Sequence, residues 1–501
     1  MTNSAGKTRW AVLIALLIAG VYGLNLDTRW RMGRDSALYL GMGESFASGH
    51  GPTFNGDWLP GFNPGLPLVW AGILRTIGPN YLAGRAMMVG FAMLLIAAGF
   101  LLVRDRRPLP VPLLVLALLA CNAQLFDTAG MLLTDLPFTA LLTLTVLGLY
   151  RALAGRLVLA LAAGAVFGLA FLMRLEALVV LPLLAVGVLL DGSATKSFRR
   201  RLLAVGLFLV SLAPILAGWY VWYHSMSQSG SHGYFETAAG KSSIQVLRTI
   251  AGNLPELPVY LMGLLVGQRP AWYLAAPLCC VLIPGVVISW RRREILLLVL
   301  AGGYMLFHLA WDVTSVNARY LMPMLPVAAL WLADGVRAVF AWMARVRPGL
   351  AGRIPARFST AAVVAAMAAL SLIPKLADTA CWKFRPTVVE VRSQREARLC
   401  DVAMWIRGHS SARDVLIARE RPILHYLAGP IVLLVPIMPP GASSEESSRA
   451  LEPVIGRATL VVVGPGDDVD EQLLGDWVKA HDRQWEFLVP QGDYRVYRRR
   501  S

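Results

Sequence analysis

The 501 residues are 56% hydrophobic and only 16% charged, with a mean hydropathy of +0.57, a composition outside the range of soluble globular domains. The net charge of +16 sits largely in short arginine-rich loops between apolar runs, the positive-inside pattern of a polytopic membrane protein, and no basic face interleaved with aromatics argues for nucleic acid. Five cysteines are too few and too scattered for a disulfide framework or a metal cluster.

About 20 apolar residues cross a bilayer, so the apolar runs are read as spans and the arginines as markers of the cytoplasmic side. Trp10 to Leu26 follows Lys7 and Arg9 and ends in no small-residue cleavage site, so it reads as a retained first span that starts in the cytoplasm. Residues 27–79 form the first outer loop, in which Gly65 to Ile77 is short, apolar and proline-bounded, a helix lying at the interface. Tyr81 to Val103 returns to Arg104-Asp105-Arg106-Arg107, and Pro110 to Leu125 goes out to a short loop with Asp127 and Asp135. Pro137 to Tyr150 comes back to Arg151 and Arg156.

Leu157 to Leu190 is interrupted by Arg174-Leu175-Glu176, which fits two short spans with an outer hairpin, because Lys196, Arg199, Arg200 and Arg201 follow. Leu202 to Tyr223 goes out, and residues 224–269 read as a polar outer loop with an amphipathic stretch, Val246 to Leu265. Ala271 to Trp290, Ile295 to Trp311, Tyr320 to Trp342 and Thr360 to Leu376 complete about eleven spans, with the outer turn Asp312 to Arg319 between the second and third of these. The N-terminus is then inside and the C-terminus outside.

From residue 377 the composition changes. Runs at Asp414 to Ala418, Ile431 to Val435 and Ala458 to Val463 read as buried strands, with helices at Val391 to Arg407 and Asp470 to His481 and a hairpin over Glu486 to Tyr497. The expected fold is therefore a polytopic α-helical membrane part, residues 1–376, and a small extracytoplasmic α/β domain, residues 377–501. Cys381 and Cys400 fall near or in this tail, where a disulfide and two free thiols are both open.

Ionisable groups beside an apolar interior are costly, so each at the outer boundary is a functional candidate. Asp35 has Tyr39 one helical turn on, and a carboxylate there serves as general base or metal ligand unless it only caps a helix N-terminus. Asp135, in Thr134-Asp135-Leu136-Pro137, has the same two readings, and two loop carboxylates say more than either alone. Arg174 and Glu176 are a site pair or a structural salt bridge. His308, Asp312, Asn317, Arg319 and Tyr320 gather where a span meets the outside, and Arg319 is the candidate for holding a phosphate through its planar fork, with snorkelling to headgroups as the alternative. No Walker A loop, dinucleotide fingerprint, His-Glu-x-x-His or Gly-x-Ser-x-Gly is present.

Arg34-Asp35-Ser36-Ala37-Leu38-Tyr39, Asn63-Pro64-Gly65-Leu66-Pro67, Thr134-Asp135-Leu136-Pro137 and Ala318-Arg319-Tyr320-Leu321-Met322-Pro323, in this order and sidedness, resemble the GT-C glycosyltransferases. The likeness is greatest to the branch of the protein O-mannosyltransferases and the lipid A aminoarabinose transferase, over roughly residues 8–376. It implies a sugar donor on a polyprenyl phosphate and inverting transfer on the outer face to an extracytoplasmic acceptor; the short loops and Ala/Leu/Arg-rich usage point to a bacterial inner membrane. By the same resemblance Asp35 is the catalytic carboxylate, Asp135 a second one, and Arg319 a donor-phosphate ligand. Tyr320 and Arg174 join Arg319 at the phosphate, Tyr39, Glu176, Asn63 and His308 support the site, and any divalent metal would fall to Asp35 and Asp135. Phe62-Asn63 stand where the aminoarabinose transferases carry a basic residue, a departure that bears on lipid A as acceptor. The rival readings are a secondary transporter or flippase for a lipid-linked sugar, which calls for midplane charges and repeated halves, and a non-catalytic scaffold.

Overall fold

The structure, a computed structural model, describes residues 4–59, 62–226, 242–266, 272–310, 318–346, 366, 371–383, 387–411, 413–429, 431–434, 444–465, 469–491 and 493–500. The expected outer turn with Asp312 and Asn317, and most of the expected last span, lie outside these residues. The chain forms two units, one of residues 1–27, 58–69 and 79–377, the other of residues 28–57, 70–78 and 378–501. The first loop is thus divided, and its helix α3 (Gly65–Ile77) passes from one unit into the other.

The first unit is a helical bundle: α1 (Ser4–Gly23), α4 (Tyr81–Arg104), α5 (Val111–Ala120), α6 (Ala123–Ala129), α7 (Asp135–Leu153), α8 (Val158–Met173), α9 (Ala177–Leu190) and α10 (Phe198–Met226). After these come α11 (Ser243–Asn253), α12 (Leu257–Val266), α13 (Trp272–Arg291), α14 (Ile295–Leu309) and α15 (Leu325–Val346). Among the described residues five helical stretches are long and apolar enough to cross a membrane, or six if the α5–α6 pair, bent by 50°, is one span. Shorter apolar helices include α8, α9 and α14. Large apolar side chains such as Leu16, Leu17, Val210 and Trp290 are exposed, which water would oppose and lipid favours. This is an integral membrane protein.

Residues 243–266, expected as part of a polar loop, form one of the five long stretches, broken at Leu254–Glu256 where Pro255 removes a backbone donor. Asparagines organise the bends: Asn122 caps α6 by accepting from Leu125 N at 2.7 Å, and its amide donates to the carbonyls of Leu264 and Leu265 in α12. Lipid gives helices no hydrophobic reason to associate, so close backbone approach does the work. α13 and α15 cross on reciprocal glycines, where a Cβ on Gly285 would lie 2.0 Å from the Trp331 carbonyl oxygen and one on Gly335 only 1.8 Å from that of Val281.

A polar cluster closes one end of the bundle. Arg107 donates to both oxygens of Glu294, at 2.5 and 2.8 Å, and through Nε to Asp334 at 2.8 Å, with all three side chains buried. Beside it the Tyr150 hydroxyl meets Asp191 at 3.1 Å, and Asp191 accepts the Leu296 N–H that opens α14. The opposite end carries Asp135 and its partners.

The second unit is built on a five-stranded sheet ordered β4-β3-β5-β7-β6, from β3 (Val415–Ala418), β4 (Ile431–Leu434), β5 (Leu460–Val463), β6 (Trp485–Gln491) and β7 (Tyr494–Arg499). β4, β3 and β5 are parallel and β7 and β6 antiparallel. In this unit α16 (Ile373–Lys383) ends, α17 (Gln394–His409) packs with α18 (Arg421–Ala428), and α19 (Ser444–Ile455) and α20 (Val469–Ala480) enclose a core of Ile417, Leu451, Ile455, Val461, Leu474, Trp477 and Trp485. Cys381 is exposed, Cys400 buried, and both are free thiols.

Residues of the first loop belong to this unit. α2 (Arg34–Ala47) lies against α18, with Trp30 edge-on to Tyr426 and Phe54 edge-on to His425. Asn55 and Gly56, both left-handed, form the turn between β1 (Thr53–Phe54) and β2 (Asp57–Trp58), and the Asn55 side chain bonds both backbone groups of Val432 at the edge of the sheet. Met32 and Trp30 exchange backbone hydrogen bonds with Glu390.

Candidate active site

Asp135 is the first residue of α7, but Thr134 occupies the N-cap position, and the Asp135 carboxylate is turned toward Arg174 rather than back to its own helix. Arg174 breaks the apolar run between α8 and α9. Its guanidinium grips Glu176 with two nitrogens, Nε at 3.1 Å and Nη2, and reaches Asp135 with the third. Arg319, where the chain enters α15 through a 3-10 turn, holds Nε 3.6 Å from the other Asp135 oxygen and donates through Nη2 to the Tyr320 hydroxyl at 3.2 Å. Both guanidinium carbons face the Tyr320 ring, at 5.4 Å from Arg174 and 5.0 Å from Arg319.

Two cations and two anions thus cancel in one cluster at the end of an apolar bundle, the arrangement that burial of charge demands. Burial alone would raise the Glu176 carboxyl, but Arg174 outweighs it and holds the group below the ordinary carboxylate range. For Arg174, burial opposes the charge and the two carboxylates overcome it, so its proton affinity rises further. The two arginines differ in use: each Arg174 nitrogen group faces a carboxylate, whereas Arg319 meets Asp135 beyond hydrogen-bond length and its side chain is 20% exposed.

His308, the last turn of α14, is buried, and among the described residues its Nε2 has no hydrogen-bond partner. Its ring lies edge-on to Tyr304 at 4.6 Å and parallel to Tyr320 at 6.3 Å, and the Tyr304 hydroxyl donates to the Tyr320 carbonyl at 3.1 Å. Tyr304 is a site residue that sequence reasoning passed over; its place one turn before His308 on the same helix was the available signal. Asn63 donates to the carbonyl of Phe171, and a Cβ on Gly65 would lie 2.5 Å from that of Leu172, so this loop is seated on the last turn of α8 just before Arg174.

Six of the expected residues, Asp135, Arg174, Glu176, His308, Arg319 and Tyr320, therefore meet at one end of the bundle, with Asn63 bracing one of its turns. Asp35 and Tyr39 are on α2 of the other unit, one turn apart, with Gly33 as the N-cap and Asp35 in the first turn. Among the described residues no group of three or more His, Cys, Asp and Glu is placed to hold a metal, and the Asp135 oxygens face Arg174 and Arg319.

No family model and no curated protein matches this chain in sequence. In three dimensions it is similar to crystal structures of ArnT from Cupriavidus metallidurans, bound to undecaprenyl phosphate (TM-score 0.61, 15% identity) and in the apo state (TM-score 0.61, 14% identity), each over 98% of both chains. It is also similar to the Archaeoglobus fulgidus oligosaccharyltransferase tethered with an acceptor peptide, with a TM-score of 0.55 and 11% identity over 98% of this chain and 74% of that one. The chain thus shares its fold with these two enzymes. On this fold, among the described residues, Asp135, Arg174, Glu176 and Arg319 bring four charges together at one end of the bundle.

Proposed function

We propose that the protein is a glycosyltransferase that moves a sugar from a polyprenyl-phosphate-linked donor to an extracytoplasmic lipid, glycan or protein acceptor, with inversion at the anomeric carbon. The observation that carries the reading is Arg319, partly open and stacked with Tyr320, beside a charge-balanced Asp135–Arg174–Glu176 cluster on a GT-C fold. Support comes also from the ArnT crystal structure bound to undecaprenyl phosphate. A polyprenyl phosphate sugar is already activated, so the reaction asks for no nucleotide site.

In this reaction the Asp35 carboxylate takes the proton of the acceptor hydroxyl or amine, whose freed lone pair attacks the anomeric carbon. The bond from that carbon to the phosphate oxygen breaks, and polyprenyl phosphate leaves with the electron pair. Arg319, with Tyr320, stabilises the charge that develops on the phosphate. Arg174, expected from the sequence to touch the phosphate, is assigned a positioning role: it fixes Asp135, which in turn orients Arg319. Glu176, His308, Asn63 and Tyr39 support these groups. The same proposal sets about eleven spans in a bacterial inner membrane, with the N-terminus cytoplasmic and residues 377–501 outside.

The test is transfer from radiolabelled polyprenyl-phosphate sugars by purified protein, wild type beside Asp35→Asn. The variant is expected to bind undecaprenyl phosphate as wild type does and to lose turnover. Full turnover in the variant removes Asp35 as base, and no turnover by wild type with any donor refutes the transferase reading.

A further inference from the structure

In the second unit the chain leaves β3 through α18 to β4 on one side, then returns through α19 to β5 on the other side of β3. The carboxyl ends of β3 and β5 therefore flank a topological switch point, where open α/β sheets bind ligands. Four polar side chains converge there. Glu420 follows β3 directly, Glu471 is in the first turn of α20 after β5, Arg395 is in the first turn of α17, and Tyr494 opens β7, which runs antiparallel beside β5. Arg395 Nη2 lies 3.9 Å from a Glu420 oxygen and 3.6 Å from a Glu471 oxygen, ion-pair contacts longer than hydrogen bonds.

Two further observations mark this cluster as built for a ligand. The Glu471 side chain is buried, and its carboxylate lies over the end of β5 at Gly464, where any Cβ would come within 2.3 Å of an oxygen. Tyr494 is 2% exposed, and among the described residues its hydroxyl finds no partner at full hydrogen-bond geometry, Arg395 being the group that interacts with it. A buried phenol left in this state is costly unless something else satisfies it. Glu420 and Arg395 form the more open rim, and Glu471 and Tyr494 the floor.

The chemistry selects the ligand class. Two carboxylates and one guanidinium leave the cluster itself with one net negative charge, which disfavours phosphate or carboxylate ligands, and a guanidinium between the carboxylates disfavours a bare metal cation. Neighbouring hydroxyl groups, each able to donate and to accept, match an array of carboxylate acceptors, guanidinium donors and a phenol that does both. We propose that the carboxyl ends of β3 and β5 form a carbohydrate-binding site whose hydrogen-bonding groups are Glu420, Glu471, Arg395 and Tyr494. That the sugar bound there is the acceptor's rests on the transferase reading; the site itself does not.

The experiment is saturation-transfer NMR on the full-length protein in nanodiscs with three probes, D-glucose, D-mannose and N-acetyl-D-glucosamine, for wild type, Tyr494→Phe, Glu420→Gln and Arg319→Gln. Wild type is expected to transfer saturation to at least one sugar. Y494F and E420Q bind it roughly five-fold more weakly, the effect of one hydrogen bond lost, and R319Q binds as wild type. Y494F also melts close to wild type, because the hydroxyl it removes makes no full hydrogen bond among the described residues, so its loss of binding is not a loss of fold. No signal from any of the three sugars, or signals that persist unchanged in both Y494F and E420Q, or signals lost only in R319Q, overturn the proposal. Sugar binding lost in Y494F in a protein that shows no polyprenyl-linked transfer leaves this site standing and removes only the transferase reading.

Discussion

Arg174 and Arg319 both touch Asp135, yet their geometry assigns them different jobs, and replacing each by Gln separates them. Arg174→Gln strands Glu176 and leaves Asp135 with Arg319 at 3.6 Å as its remaining guanidinium. Removing one member of a buried ion cluster costs about 3–5 kcal/mol, because the charges left behind stay desolvated. Arg319→Gln breaks an ion pair longer than a hydrogen bond and one hydrogen bond to the Tyr320 hydroxyl, and Asp135 keeps Arg174, so its cost to stability is smaller, about 1–2 kcal/mol. Its effect on a bound phosphate is larger: one charge-assisted hydrogen bond contributes about 1.5–3 kcal/mol, or about 10- to 150-fold in Kd. The assays are thermal melting in detergent and binding of undecaprenyl phosphate. R174Q should melt far below wild type, and Asp135→Asn in the same chain should recover part of the loss by removing a stranded carboxylate. R319Q should melt near wild type and bind the lipid at least tenfold more weakly. An R319Q protein that binds undecaprenyl phosphate normally, or an R174Q protein as stable as wild type, refutes the division of roles.

Arg107→Met should destabilise the protein by about 3–5 kcal/mol by leaving Glu294 and Asp334 buried without their cation, whereas replacing all three by apolar residues should come close to wild type, both read from melting curves. Gly335→Ala should lower the melting temperature through about 1–3 kcal/mol of overpacking, because its Cβ meets the Val281 carbonyl. The Glu176 carboxyl titrates below its ordinary value of 4.5 in the folded protein, so the stability it contributes is full above that value and is lost as pH falls through the lower, folded one. Melting temperature measured from pH about 6 down to about 3 should fall in wild type, and the part of that fall below the ordinary value should flatten in Glu176→Gln.

Local signals were legible in the sequence, and long-range pairings were not. The arginine runs after Val103 and Trp290 mark helix ends, and Arg174-Leu175-Glu176 marks the turn between α8 and α9, because charge in an apolar run forces the chain to a boundary. The partnership of Arg174 with Asp135, 39 residues away, follows from helix packing that no local pattern encodes. Arg107 reads in sequence only as one of several loop arginines. A clue to its role was Asp334, a lone carboxylate inside the Tyr320 to Trp342 run, since a charge at that depth implies a partner. The strand runs were visible by composition, but nothing local ties Trp30 or Asn55 to α18 and β4, because those contacts close over more than 370 residues.

The unit that carries Asp35 is assembled from segments made at opposite ends of synthesis. Its helix α2 is complete by residue 47, while α18 and the sheet lie beyond residue 410, and at about 5–20 residues per second the ribosome needs some 20–70 s to bridge them. During that interval Trp30 and Phe54, both buried in the finished protein, have nothing to rest on and are natural clients for a chaperone. A stop codon that removes the sheet would spare every span and still leave α2 unsupported, so nonsense mutations late in the reading frame should silence the protein as thoroughly as early ones.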